Sequence, residues 1–466
     1  MKKRSAKTFI ILLGLFIALF SIISVQMADA ASSKKVKQKS SHAEKVDKKI
    51  ERMEEEIQES AESYKDGDFW GFQDEDKKKG KKNVGKYLLR APTYITRAIT
   101  WPLAIFGDFL IKKGVVRDIV EVISNDDRTF WVYPKLELGF GSGFGGGIGV
   151  KHTDLLGENY QFSADYLIHI NMNQKVGVSL GKPDAFYIKD KPVGYELSTK
   201  YIHTNNASYY GLGIDSSINN HSHYKIDGME IGGWFGYEFW KNLLGDIHLY
   251  VQADATEPKT YNGRSIDAVF PPSQLIGLND SQYFFDIGLR FTHDDTSDEA
   301  VPEKGGFRRI SFDRFQGPNT TKNDYNQYEL ELIQYIKLWA DRHVLLLRTD
   351  WIYKQVFGGN KIPFYRLARL DVHSPLRSYD VGRFQDRGRA VFNIEYYYPV
   401  WSFIDGVFFF DTGRTFHDFS DLSINKFKVS GGGGITLRSI EFFLFKFQIA
   451  YGGEGVNFLM KASKSF

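Results

Sequence analysis

Phe285-Asp286-Ile287-Gly288-Leu289-Arg290-Phe291-Thr292 sets an apolar side chain at every second position and a polar or small residue between. Successive side chains of a strand point to opposite faces, so this octet is a strand with one greasy and one polar side. Upstream, Asp246-Ile247-His248-Leu249-Tyr250-Val251-Gln252-Ala253-Asp254 repeats the pattern. A soluble sandwich can alternate in this way, but it rarely needs so many such strands in succession with aromatics on the apolar side. Working outward, segments of this kind fall near 131–139, 144–153, 159–170, 173–181, 193–204, 226–240, 246–256 and 282–293. They continue near 307–316, 325–337, 342–354, 389–399, 405–415, 427–438, 440–451 and 456–466. That even number is what a bacterial single-chain barrel requires.

The expected fold is therefore all-β, a 16-stranded antiparallel transmembrane β-barrel over 130–466. Long insertions at 205–225, 257–281 and 355–388 each follow an odd strand, whereas 154–158, 241–245, 338–341 and 400–404 are brief. Short turns on one side and long loops on the other place both barrel ends in the periplasm and the long loops outside the cell. The connections at 182–192 and 294–306 are long for their side and are the weak points of this register.

Ahead of the barrel, Lys2, Lys3 and Arg4 precede an apolar run from Phe9 to Val25 that ends in Ala28-Asp29-Ala30. The run is nearly long enough to span a bilayer, but the small-x-small site after it marks residues 1–30 as a signal peptide. Residues 31–85 are dominated by charge, as in Lys48-Lys49-Ile50-Glu51-Arg52-Met53-Glu54-Glu55-Glu56, and form a periplasmic linker, partly helical or disordered. Within 86–129, Ile95, Ile99, Phe106 and Leu110 fall near helical spacing, interrupted by Pro102, which gives amphipathic helices on the membrane surface or against the barrel mouth.

Composition removes other classes. The most apolar later stretch, Trp101 to Ile111, is broken by Pro102, Gly107 and Asp108, so a helical membrane protein is not expected. A mean hydropathy of −0.33 alongside 15% aromatic residues and 44 Gly suits a wall that alternates lipid-facing and lumen-facing residues. No Cys is present to make a lipoprotein anchor or a disulfide framework, and a net charge of +3 is too small to argue for nucleic acid.

Parity along the late strands assigns faces. Ala390, Phe392, Ile394, Tyr396 and Tyr398 share the lipid side, which leaves Arg389, Asn393 and Glu395 inward. Phe408 and Phe410 likewise turn Asp405, Asp411 and Gly413 inward. Two carboxylates, Glu395 and Asp411, thus converge on the lumen, and the preceding loop supplies Arg377, whose planar fork suits carboxylate pairing. Ordinary solvated lumen charges would satisfy the same parity.

Around that loop the sequence reads Pro363-Phe364-Tyr365, Pro375-Leu376-Arg377-Ser378-Tyr379 and Gly382-Arg383-Phe384-Gln385-Asp386. Then follow Asn393-Ile394-Glu395-Tyr396-Tyr397-Tyr398-Pro399 and Phe408-Phe409-Phe410-Asp411-Thr412-Gly413. Tyr133-Pro134 before a glycine-rich turn to Asp154-Leu155-Leu156-Gly157, and the Asp-rich turn from Asp294 to Gly306, extend the series. In order and spacing it resembles the BamA/TamA and two-partner-secretion superfamily, the bacterial surface antigen family. The resemblance implies a loop that folds back into the lumen and is pinned by Arg377, Ser378 and Tyr379, with Asp411 receiving the arginine and Glu395 close by. Gly382, Arg383, Phe384, Asp386 and Gly413 belong to the supporting motif. Ser378 stands where the family has Gly and disfavours positive φ, so a less tightly tucked tip is expected. Phe466, preceded at alternate positions by Lys464, Ala462, Met460 and Phe458, resembles the terminal signal read by the barrel-assembly machinery.

The resemblance implies a part in outer-membrane biogenesis through a weak seam between the first and last strands, with outer-membrane lipids, a client polypeptide or lipid and a periplasmic partner. Family members normally carry POTRA domains; residues 31–129 lack the mixed strand and helix pattern of one. The alternative is a passive porin-like or structural barrel, since fold alone does not decide activity. Catalysis is not expected. His373-Ser374 and His221-Ser222-His223 lie in loops without a Gly-x-Ser-x-Gly elbow. Asp294, Asp295, Asp298 and Glu299 lack the spacing of a Ca²⁺ loop, and the glycine runs at 139–149 and 431–434 lack the Lys-Ser/Thr of a phosphate loop. Neither metal nor cofactor is expected.

Overall fold

The computed structural model describes parts of 43–55 and 92–105, residue 118, and residues 121–463 apart from 140–142, 298–300, 318–322, 339–341, 375, 402–403 and 439–443. The signal peptide, most of the charged linker, Pro375 and Phe466 lie outside the described residues.

Sixteen strands close into one antiparallel barrel. The first eight are β1 (Phe130–Gly139), β2 (Gly143–Leu155), β3 (Tyr160–His169), β4 (Gln174–Ile188), β5 (Lys191–Tyr209), β6 (Ser222–Trp240), β7 (Leu243–Glu257) and β8 (Ser281–Asp294). Then come β9 (Gly305–Gln316), β10 (Tyr325–Lys337) and β11 (Val344–Val356), followed by two short strands outside the wall, β12 (Ala368–Leu370) and β13 (Phe384–Asp386). β14 (Gly388–Trp401), β15 (Ile404–Phe416), β16 (Lys428–Arg438), β17 (Leu444–Gly452) and β18 (Gly455–Ser463) complete the wall. Each wall strand pairs with its neighbour in sequence, β11 passes over the loop to β14, and β18 returns to β1.

The wall is what alternation dictates. Along β8, Tyr283, Phe285, Ile287, Leu289 and Phe291 are exposed, while Phe284, Asp286 and Gly288 between them are buried. The exposed row is the lipid side, because a barrel in a membrane buries its polar groups inward and presents its apolar side chains to the acyl chains. Inward charges are balanced in a ladder across β9 to β14. Arg309 and Arg348 share Glu331 at 2.6 and 2.7 Å, and Arg389 meets Asp350 at 2.8 Å.

Strand ends depart from expectation where polar or charged residues continue a strand. The connection expected at 182–192 is a two-residue turn at Lys189 and Asp190, both at positive φ, as a tight hairpin requires. β4 and β5 run on to that turn through a register shift between Lys182 and Phe186. The insertion expected at 205–225 shrinks in the same way to the residues between Tyr209 and Ser222.

Every described residue before Ser124 is helical. Between 92 and 102, Thr96 Oγ1 meets the Tyr398 hydroxyl at 2.9 Å, Arg97 Nε donates to the Val400 carbonyl at 2.6 Å and Trp401 Nε1 donates to Thr100 Oγ1 at 2.9 Å. Tyr398 shares its face with the exposed Phe392 and Ile394, so this helix lies outside the wall at the end of β14. Its opposite face exposes Ile95 and Ile99. A second helical stretch sets Val46 and Ile50 on the buried Trp131 of β1, with Ile123 and Tyr133 at the margin, and Asp47 meets Arg128 at 3.3 Å.

Candidate functional site

The loop from β11 to β14 turns back into the barrel, and its strands β12 and β13 pair Ala368 with Asp386 and Leu370 with Phe384. Leu370, Leu376, Tyr379 and Phe384 make a small buried core with Ile214 and Val391. A loop this short has little core of its own, so the wall must supply the rest. Gly413 shows how: a Cβ there would sit 2.8 Å from Leu370 Cδ1, so its absence lets the loop reach the wall.

Arg377 is buried at the loop tip. Its Nη2 bonds Glu395, its Nε lies 3.5 Å from Asp411 Oδ2, and its backbone N–H donates to the same oxygen at 3.3 Å. The guanidinium plane stacks over Phe409 at 4.0 Å. β14 and β15 bring the two carboxylates together because their register sets Asn393 opposite Asp411, and Asn393 Nδ2 donates to Asp411 Oδ1 at 2.9 Å. Tyr397 donates its hydroxyl to Glu395 Oε2 at 2.5 Å. The order of partners differs from the sequence reading, with Glu395 as the nearer ion pair and Asp411 receiving mainly the backbone. Parity fixes a face but not which of two neighbouring carboxylates a side chain reaches.

Ser378 is tucked, not loose. It is buried and takes no positive φ; its N–H donates to Ser430 Oγ at 3.1 Å. Gly452 opposite makes the room, since a Cβ there would fall 2.0 Å from Ser378 Oγ. Asn457 of β18 donates to the Arg377 carbonyl at 2.9 Å. Gly382, at φ +72°, donates its N–H to Asp371 Oδ2 at 2.7 Å, and a Cβ there would lie 2.5 Å from the Ser208 carbonyl. Arg383 Nε bonds both oxygens of Glu454 at 2.7 and 2.9 Å, Nη2 donates to the Ser216 carbonyl at 2.8 Å, and the guanidinium lies 4.2 Å over Phe384. Asp386 Oδ1 is 3.0 Å from His417 Nδ1.

Two anchors escaped the sequence reading. Arg366 Nε donates to Asp254 Oδ2 at 2.6 Å and Nη1 to Gln252 Oε1 at 2.7 Å, with the guanidinium 4.0 Å over Phe284. Only its place directly after Pro363-Phe364-Tyr365 could have pointed to it. Glu454 sits in a two-residue turn that carries no signal. Of the histidines set aside, His221 Nε2 lies 3.2 Å from Ser208 Oγ and its ring stacks on Tyr210, without a carboxylate behind it among the described residues.

β2 pairs with the whole of Phe130–Gly139, whereas among the described residues β18 pairs only Leu459–Ala462 with Leu136–Gly139.

Residues 154–465 match the family model described as the Omp85 superfamily domain. No curated protein matches the sequence. Among solved structures the chain is similar to BamA from Haemophilus ducreyi lacking POTRA domains 1–3, at 16% identity and a TM-score of 0.55, over 72% of this chain and 70% of that one. CdiB from Acinetobacter baumannii aligns at 9% identity and a TM-score of 0.46, over 72% and 60%. CdiB from Escherichia coli aligns at 11% and 0.44, over 71% and 62%. The likeness to BamA supports the barrel fold.

Proposed function

The chain belongs to the Omp85 superfamily, and on that premise we propose that it acts in outer-membrane biogenesis, inserting barrel proteins or moving polypeptide or lipid through a gate between β1 and β18. The observation that carries this reading is that the loop held in the lumen is fastened at β18, one lip of that gate, where Asn457 donates to the Arg377 carbonyl and Arg383 meets Glu454 of the turn before it. The loop inside the lumen acts as a brake, with Arg377, Ser378 and Tyr379 as its catch, Glu395 and Asp411 as the receiving carboxylates, and Gly382, Arg383, Phe384, Asp386 and Gly413 in support. Both barrel ends face the periplasm, and the helices there meet a client or partner protein. Phe466 serves export of the chain itself.

A double variant, Leu136→Cys with Ala462→Cys, tests the gate on a chain that has no other Cys. Oxidation is expected to abolish its contribution in cells, scored by a census of outer-membrane proteins and lipids, and reduction to restore it. Full function with the seam locked would end this reading. A lumen cavity of about 270 Å³, lined by Asp165, Lys200, Tyr250 and Arg290 among others, favours a second one, a passive porin-like or structural barrel. Planar-bilayer conductance separates the two: a braked gate gives small, flickering currents that grow when 357–387 is deleted, and a porin is steadily open from the start.

A further inference from the structure

Away from the loop tip, the inner wall of β7, β8 and β9 gathers a second constellation. The register places His248, Gly288 and Asp313 in one row across the three strands. Gly288 leaves the space between its neighbours empty, since a Cβ there would lie 2.4 Å from His248 Nε2 and 2.5 Å from Asp313 Oδ1. The two side chains close over it to 2.6 Å. Asp286, two residues earlier on the same face of β8, brings a third donor, and one ligand atom from each residue lies within 4.8 Å of the others.

Two independent features point to a cation. Asp286 is 5% exposed, its Oδ1 has no hydrogen-bond partner, and Oδ2 is reached by Gln252 Nε2 at 3.5 Å, the outer limit of a bond. A carboxylate oxygen withdrawn from water without a donor is costly unless a cation answers it. Behind the imidazole, Asp246 Oδ1 lies 3.4 Å from His248 Nδ1, and Arg290 Nε donates to Asp246 Oδ2 at 2.9 Å. Asp246 keeps a proton on Nδ1, so the proton shared between Nε2 and Asp313 Oδ1 is the one a cation would displace, which leaves the imidazole in the arrangement typical of a metal-bound histidine. Ser311 donates to Asp313 Oδ2 at 3.1 Å and steadies the remaining ligand.

We propose that His248 Nε2, Asp286 and Asp313 form a binding site for a first-row divalent transition cation on the lumen wall. One imidazole nitrogen with two carboxylates suits Zn²⁺ or Mn²⁺, whereas Ca²⁺ wants six to eight oxygens. The site adjoins the second anchor of the loop, because Gln252 touches Asp286 and also accepts from Arg366. An occupied site braces the wall on which that anchor sits.

The test uses the full chain extracted in detergent, stripped with EDTA, dialysed and titrated calorimetrically with ZnCl₂. One Zn²⁺ is expected per chain, with a raised unfolding midpoint and no comparable uptake of Ca²⁺. Asp286→Asn keeps the shape, removes the unpaired charge and is expected to fold at least as well as the parent while losing the Zn²⁺ isotherm. Asp246→Asn acts through His248 and is expected to weaken binding about 10–100-fold. The proposal is overturned if the stripped parent takes up no Zn²⁺, if Ca²⁺ binds as well, or if folded Asp286→Asn binds Zn²⁺ as tightly as the parent. The parent titration stands even if a variant does not fold.

Discussion

The pairing of β14 with β15 and the pairing of β1 with β18 belong to one closed sheet, yet their side chains fasten different parts of the molecule. β14 and β15 run in register from Gly388 and Phe416 to Pro399 and Asp405, with a bulge before Trp401, and their inward carboxylates are gripped by a buried arginine from the loop. β1 and β18 share only the stretch Leu136–Gly139 with Leu459–Ala462 among the described residues. The backbone hydrogen bonds are of the same kind in both places, so the difference lies in what the side chains fasten. The two lips of the seam are also held by different parts. Asn457 of β18 and Glu454 of the turn before it bind the loop, whereas Trp131 of β1 carries the N-terminal helical stretch. One closed sheet can thus fasten its inner loop along one arc and its N-terminal helical stretch along another without any change in its backbone chemistry.

The largest expected effect comes from breaking the side that fastens the loop. Glu395→Ala leaves Arg377 buried with its nearer partner gone and is expected to cost about 3–5 kcal/mol, measured as a lowered urea midpoint in lipid vesicles. Arg377→Glu combined with Glu395→Arg is expected to recover most of that loss; an unchanged midpoint in Glu395→Ala would refute the anchor. Gly382→Ala, which forces a side chain into positive φ and against the Ser208 carbonyl, is expected to cost about 1–3 kcal/mol and to enlarge single-channel currents as the loop loosens. Currents identical to the parent would mean that this turn does not hold the loop. The smallest effect belongs to the side of the N-terminal helical stretch. Asp47→Asn removes a partly exposed pair with Arg128 and is expected to cost at most about 1 kcal/mol, seen as faster proteolysis ahead of the barrel with the urea midpoint unmoved. Coupled loss of both would join the helix to the barrel's global stability.

The wall was legible because alternation is a local property: Phe285 to Thr292 declares its two faces without reference to any other strand. The strand ends were not, since Lys182, Pro183 and Asp184 look like loop, and only the register shift there lets β4 continue to Ile188. The loop tip was legible through its resemblance and through the parity of Glu395 and Asp411, which gives direction but not reach. Arg366 and Glu454 stayed hidden because each finds its partner far along the chain. His248, Asp286 and Asp313 stayed hidden for the same reason; three strands each contribute one residue, and no spacing within any of them differs from that of an ordinary lumen face.

The helix fastened outside the end of β14 and the helical stretch fastened at the start of β1 are joined by one chain. In the cyclic order of the wall, five steps separate those strands, through β15, β16, β17 and β18, an arc of about 24 Å at the usual strand spacing. One polypeptide thus grips the barrel at both ends of that arc, β14 from one stretch and β1 from another.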